Sequence, residues 1–301
     1  MKIMLAYPPL SCEKGWPTLG QNRQFQYFKA PTYIYPVVPA QAATLLKQSG
    51  YEVVWFDSIA ESASPEKFFG GVEREKPDIL AFETKTPVIK QHWKIINELK
   101  GLAQGKWELK IVLFGDHVTA LPEESFANSQ VDFVLTGGDY DFLLLNLCNN
   151  LKSREKFEPG IYYRDNTGVK NTGKFQLDHD LNSLPFIDRE LTKWRNYAYE
   201  NGNYKRTPGT YVMSGRDCWY HACTFCSWPT LYPKFRVRDP DNVLEEIGSL
   251  IQKEKIREIM DDTGCFPVGD WLRQFCQGMV KRGFNKDIYL DCNMRFGALK
   301  S

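Results

Sequence analysis

Five short apolar runs, each followed by a helical stretch, constrain this chain more than any other feature. They are KIMLAY (2–7), EVVWFD (52–57), DILAFE (78–83), LKIVLFG (109–115) and VDFVLTGG (131–138). Between them lie AQAATLLKQSG, closed by Gly50, a stretch from Pro65 to about Lys76, residues 87–104, a short piece after Pro122, and DFLLLNLCNNL. Strands that are apolar at nearly every position are buried on both faces, and helices that alternate with them cover those faces. The pattern predicts a doubly wound parallel sheet in a flavodoxin-like or Rossmann-like order over residues 1–151. Residues Pro8 to Pro39, rich in proline and aromatic side chains, read as a long loop.

Residues 152–208 break the alternation. IYYRDNTGVKN reads as a hairpin turning at Asn166–Gly168, and DLNSLPFIDRELTKW as a polar linker into a second unit. From Thr210 the alternation resumes. TYVMSG, REIMDD and DIYLDCNM read as strands, and DPDNVLEEIGSLIQK and VGDWLRQFCQGMVKRG as helices. Asp239 is a good N-cap, with Pro240 in the first helical position. Three strands and two helices do not close a (β/α) barrel. Residues 209–301 are therefore expected to form an incomplete barrel, the N-terminal part of a longer domain.

Lys and Arg total 38 against 37 Asp and Glu, so nothing in the charge balance points to nucleic acid or an anionic membrane. No apolar run reaches the roughly 18 residues of a membrane span, and Pro8 and Pro9 interrupt the apolar N-terminus short of a secretory signal. The expected location is the cytoplasm, with no nucleic-acid partner.

Eight cysteines are present, and three crowd into nine residues: Cys218, Cys223 and Cys226, in SGRDCWYHACTFCSW. The other five, at 12, 148, 265, 276 and 292, are scattered. Thiolates on a short irregular loop can turn inward onto one inorganic cluster. Three ligands leave one iron of a cubane open, whereas a structural zinc site takes four. Two plainer readings stand beside this one: buried thiols acting as small hydrophobes, or a zinc quartet completed by His221 or Cys265. The loop follows the first strand of the second unit, at the sheet edge where such folds place their chemistry.

The cysteine segment resembles the signature of the radical S-adenosylmethionine superfamily, with four residues in the first gap where the usual spacing has three. Phe225 before Cys226, FRVRDPDNVLEEI and EIMDDTG extend the likeness. In order along the first unit, YPP, GYEVVWFD, PDILAFET, FGDHVTALPEE and VDFVLTGG resemble the branch that carries an N-terminal cobalamin-binding domain. The resemblance implies a [4Fe-4S] cluster on Cys218, Cys223 and Cys226, with S-adenosylmethionine chelating the open iron. The reduced cluster would split the carbon–sulfur bond to give a 5′-deoxyadenosyl radical. It implies Phe225 near the adenine, and Asp261, Asp262 and Thr263 near the methionine amino group, although adjacent aspartates after a strand also read as a helix N-cap. It places Arg295 opposite the methionine carboxylate. For cobalamin the implied contacts are Tyr7, Thr84, Gly115, Asp116, His117, Gly137 and Gly138, although paired glycines also simply end strands. The motif Asp-x-His-x-x-Gly is absent, and His117 reads as a hydrogen-bonded turn residue rather than a cobalt ligand. His92 and His179 read as ordinary surface or packing residues. The implied partners are a small-molecule substrate and an electron donor such as ferredoxin or flavodoxin. The expected activity is that of a cobalamin-dependent radical enzyme, with methyl transfer to an unreactive carbon as the first guess. The alternatives are an inactive cofactor-binding fragment and a structural metal-cluster module.

Overall fold

The computed structural model describes residues 1–20 and 23–299. β1 (Lys2–Tyr7) shows why the first sheet forms. Its side chains alternate between two apolar layers: Ile3, Leu5 and Tyr7 join one buried cluster, and Met4 and Ala6 the other. The chain then makes a hairpin, β2 (Trp16–Gly20) and β3 (Arg23–Phe28), where the sequence reads as loop. Phe25 and Phe28 are half-buried, and Pro17 is tolerated because a two-stranded ribbon has only edges.

α1 (Val37–Gln48) begins three residues ahead of its apolar pattern. Pro39 sits in its first turn, where backbone N–H groups have no intrahelical partner. β4 (Glu52–Asp57) and α2 (Pro65–Glu75) follow, the helix capped by Ser64, which accepts from the Lys67 N–H at 3.3 Å. Then come β5 (Ile79–Glu83), α3 (Ile89–Ala103), β6 (Lys110–Phe114), α4 (Asp116–Ala120), α5 (Glu124–Asn128), β7 (Phe133–Leu135) and α6 (Tyr140–Ser153). The five parallel strands lie in the order β4-β1-β5-β6-β7, the flavodoxin-like arrangement. The expected hairpin is β8 (Ile161–Asp165) and β9 (Gly168–Asn171). It adds to the same sheet, β8 pairing antiparallel with β7, which makes seven strands.

Residues 181–208, expected as a polar linker, form a packed strap that includes α7 (Arg195–Ala198). Trp194 and Tyr197 are buried. The Tyr197 hydroxyl donates to Asp57 at 2.6 Å, and the Asp188 N–H donates to Thr44 at 2.9 Å. Arg189 lies over the Tyr35 ring and donates to Thr210 and the Tyr211 carbonyl. The strap thus ties the first unit to the second, and the apolar cluster holding Ile3 continues to Ile288.

The second unit contains β10 (Gly209–Val212), a small ribbon of β11 (Gly215–Arg216) and β12 (Arg236–Val237), and α8 (Trp228–Leu231) between them. After these come α9 (Pro240–Lys253), β13 (Glu258–Asp261), α10 (Asp270–Lys281), α11 (Phe284–Asp287) and β14 (Tyr289–Cys292). β10, β13 and β14 form a parallel three-stranded sheet, so among the described residues there is no closed barrel.

Candidate cluster and cofactor site

β10 delivers the cysteine loop, and β13 holds it in place. The Asp261 carboxylate accepts the Ser214 N–H at 3.0 Å and its hydroxyl at 2.5 Å. Its other oxygen accepts the Thr263 N–H at 3.0 Å. The Thr263 hydroxyl in turn accepts the Gly215 N–H at 2.9 Å. Asp261, Asp262 and Thr263 are all buried. Asp261 caps no helix: α10 starts nine residues later, and the carboxylate fastens one strand end to the next. Burial raises its pKa, against the hydrogen bonds from Ser214 and Thr263.

The loop turns sharply. Asp217 and His221 both have positive φ, 81° and 55°, a conformation that costs L-residues energy and occurs at functional loops. The His221 Nδ1 lies 2.5 Å from the Asp217 carboxylate. Cys223 is exposed, and Cys218 and Cys226 are partly buried. Burial, with the nearby Cys223 and Cys218 thiols, raises the pKa of Cys226. Among the described residues no three His, Cys, Asp or Glu side chains converge as ligands of a single ion. A cubane takes each cysteine on a different iron, so the loop's fit to one rests on its donor chemistry: three thiols, partly open to solvent. The buried Trp228 indole N–H, two residues past Cys226, has no acceptor and matches an anionic group at this place.

Phe225 is 80% exposed beside the thiols. Arg295 lies three residues beyond β14, and its guanidinium stacks 3.5 Å from the centre of the Tyr220 ring. The structure therefore brings the third strand's end to the cysteine loop, with Arg295 held by an aromatic face.

The carboxyl ends of the first sheet carry a buried polar group. The Tyr7 hydroxyl donates to Glu83 at 2.7 Å, and Lys85 lies 3.4 Å from both Glu83 and Asp116. Burial opposes the charge on Lys85, but Glu83 and Asp116 outweigh it and raise its pKa. His117 has both ring nitrogens engaged, by Thr86 and Glu124, each at 3.0 Å. Thr84 bonds the buried His92, whose pKa burial lowers to about 3, so that ring is neutral. Gly115 has φ 120°, and a Cβ there would run into the Thr84 carbonyl. A cavity of about 750 Å³ opens at the ends of β1 and β4, walled by Pro9, Leu10, Trp16 and Ala63. The Ser58 hydroxyl, buried in that wall, has no partner. Its size lies within the range of small-molecule sites, and the unpartnered hydroxyl fits a ligand there.

Gly137 and Gly138 face no such space. A Cβ on Gly137 would meet Phe175, and one on Gly138 the ring of Tyr232. The Gly138 N–H donates to the Leu231 carbonyl at 3.0 Å, and the Tyr232 hydroxyl to the Gly138 carbonyl at 3.1 Å. Gly138 receives the second unit here, and Gly137 the Phe175 ring.

Beside them lies a charge cluster that sequence reasoning missed. Arg216, 1% exposed, meets Asp139 at 2.8 Å, Asp141 at 2.5 Å and Gln41 at 3.1 Å. Arg236 reaches Asp139 at 2.6 Å, and His179 sits 3.0 Å from both Asp139 and Glu158. Burial pulls against the imidazolium, but the two carboxylates outweigh it and raise His179 to about 9. His179 is thus a paired cation rather than an ordinary packing residue. The sequence signal was faint: charged residues directly after Gly137–Gly138 and directly before Cys218.

No protein-family model matches the chain. Its fold is that of the cobalamin-dependent radical S-adenosylmethionine enzymes. It is similar to the cobalamin-dependent S-adenosylmethionine radical enzyme OxsB with aqua-cobalamin bound, with a TM-score of 0.72 at 17% identity, over 93% of this chain and 37% of that one. It is similar to the radical S-adenosylmethionine methyltransferase TsrM from Kitasatospora setae with tryptophan and a cofactor analogue bound, with a TM-score of 0.69 at 15% identity, over 96% and 54%. Curated relatives are more particular. The anaerobic magnesium-protoporphyrin IX monomethyl ester cyclase of Cereibacter sphaeroides is 26% identical over 283 residues, 87% of this chain and 43% of the cyclase. That of Rubrivivax gelatinosus is 23% identical over 267 residues, 82% and 44%. The chain spans less than half the length of these relatives. No described helix is long and apolar enough to cross a membrane.

Proposed function

We propose that this chain belongs to a cobalamin-dependent radical S-adenosylmethionine enzyme, and that Cys218, Cys223 and Cys226 hold its [4Fe-4S] cluster. The observation that carries the reading is the partly open three-thiol loop at the carboxyl end of β10, with Phe225 exposed beside it. A reduced cluster held here would supply the electron that splits S-adenosylmethionine. The chain's own residues do the positioning. Asp261 and Thr263 fix the loop's first residues, and Phe225 offers a ring for the adenine. Asp262 lies on the turn proposed to meet the methionine amino group, and Arg295 offers a cation to its carboxylate. Cobalamin is proposed at the carboxyl edge of the first sheet, in the cavity by Ser58 and Trp16 and above Tyr7, Thr84, Gly115 and Asp116. His117 is occupied by Thr86 and Glu124 and is proposed to stay off the cobalt.

Methyl transfer to an unreactive carbon of a small-molecule substrate is the first reading of the reaction, with ferredoxin or flavodoxin as the electron donor and the cytoplasm as the location. Ring closure is the second, favoured by the cyclase relatives across 87% of this chain. The test is anaerobic reconstitution with iron and sulfide. The chain should take up about four irons and four sulfides. Single changes of Cys218, Cys223 or Cys226 to Ala should abolish this, while Cys12→Ala and Cys276→Ala leave it intact. A single variant among the three that keeps the full cluster absorbance overturns the assignment.

A further inference from the structure

We propose that Cys265 is a positioning residue for the cluster: a buried thiol outside the three-cysteine loop that donates a hydrogen bond to the sulfur of Cys218. The inference rests on the reading of Cys218 as a ligand.

Cys265 follows β13 by four residues and pairs with Cys218 in an isolated parallel bridge, so the two backbones run side by side here. It is 3% exposed. Phe266, the residue after Cys265, is fixed through both its carbonyl and its N–H. The Trp219 indole N–H donates to the Phe266 carbonyl at 3.1 Å, which binds this turn to the cysteine loop. The Phe266 N–H donates to the Asn293 carbonyl at 2.8 Å, which binds it to the third strand. Gly264 permits the close approach. A Cβ there would lie 2.9 Å from the Trp228 ring and 3.1 Å from the Cys218 Cβ. Residues paired across parallel strands project their side chains to the same face, so the Cys265 thiol lies beside the Cys218 side chain.

Chemistry decides which sulfur donates. A cysteine bonded to iron is a thiolate and can only accept. Cys265 lies outside the ligand loop and is buried against Cys218, so in this pair its thiol is the one placed to supply an S–H. Hydrogen bonds to cluster sulfurs and exclusion of solvent are two of the quantities that set a cluster's reduction potential. Reduction adds negative charge, so a donor at Cys218 favours the reduced form. Removing the donor makes the cluster harder to reduce.

The test uses the 301-residue chain, reconstituted anaerobically, as wild type, Cys265→Ala and Cys265→Ser. Iron content, electron paramagnetic resonance of the reduced cluster and its redox titration are read. All three proteins should hold about four irons. The Ala variant should titrate at a more negative midpoint with altered g-values, and Ser, which keeps an O–H donor, should return toward wild type. An Ala variant with wild-type midpoint and spectrum overturns the proposal. So does loss of iron on Cys265→Ala, which would make Cys265 a ligand. A wild-type chain that takes up no iron overturns the parent reading instead, and is told apart by the wild-type arm alone.

Discussion

The first sheet buries β1 on both faces, whereas the second leaves Tyr289 on its edge strand 51% exposed. Both grow from the same alternation of strand and helix. In the first, β1, β5, β6 and β7 each have a partner strand on both sides, and Tyr7, Glu83 and Lys85 pair with one another inside it. In the second, β14 has one neighbour, and three cysteines stand on a loop with positive-φ residues among them. Burial makes a region stable. Exposure and strain are where chemistry is free to occur. The junction between the two is not apolar alone, since Arg216 and Arg236 of the second unit are neutralised by Asp139 and Asp141 of the first.

The junction gives the largest expected effect. Arg216→Ala leaves Asp139 and Asp141 buried beside one another without their shared cation, which should cost about 3–5 kcal/mol. Urea unfolding measures it, and a loss below 1 kcal/mol would mean that the cluster is hydrated rather than buried. A matched pair sharpens the contrast between the sheets. Phe82→Ala, in the buried layer beneath α3, should cost about 3–5 kcal/mol. Tyr289→Ala, on the open edge against Arg206, should cost about 1 kcal/mol or less. Equal losses would show that the second sheet is covered in solution.

The smallest effect is one of pH. His179 is raised from 6.5 to about 9 by Asp139 and Glu158, against the pull of burial. Its contribution is fully present below pH 6.5 and is lost as pH rises through about 9. Asp139 is held well below its ordinary range, since Arg216, His179 and Arg236 outweigh burial, and its contribution is lost only as pH falls below the usual carboxylate range. The urea midpoint should therefore decline between pH 6.5 and 9, and His179→Gln should flatten that decline. An unchanged slope in the variant would remove His179 from the junction.

Much of this was legible from residues alone. The five apolar runs gave the first sheet within a residue or two, apart from the last, where only Phe133–Leu135 pairs as a strand. Local alternation and capping suffice there, because the inner strands are covered on both faces. The hairpin β2–β3 was hidden by Pro17, whose missing N–H argues against a strand except at an edge. The strap carrying Trp194 and Tyr197 read as linker, since its polar residues are bonded to partners distant in sequence, such as Thr44 and Asp57. The cysteine loop stood out because its three cysteines lie within nine residues of sequence. The junction was not: Asp139 and Arg216 lie 77 residues apart, and no periodicity connects them. The same limit applies to Gly137 and Gly138, which read as ligand contacts and lie against Phe175 and Tyr232 respectively.

The central claim is that the three-cysteine loop holds a cluster with one iron open to S-adenosylmethionine. The most direct measurement is electron paramagnetic resonance of the reduced, reconstituted chain before and after addition of S-adenosylmethionine. The account predicts a cubane signal that changes in g-values when the cofactor is added, and that is absent in Cys223→Ala. A cluster signal indifferent to S-adenosylmethionine, or one that survives Cys223→Ala, would contradict it.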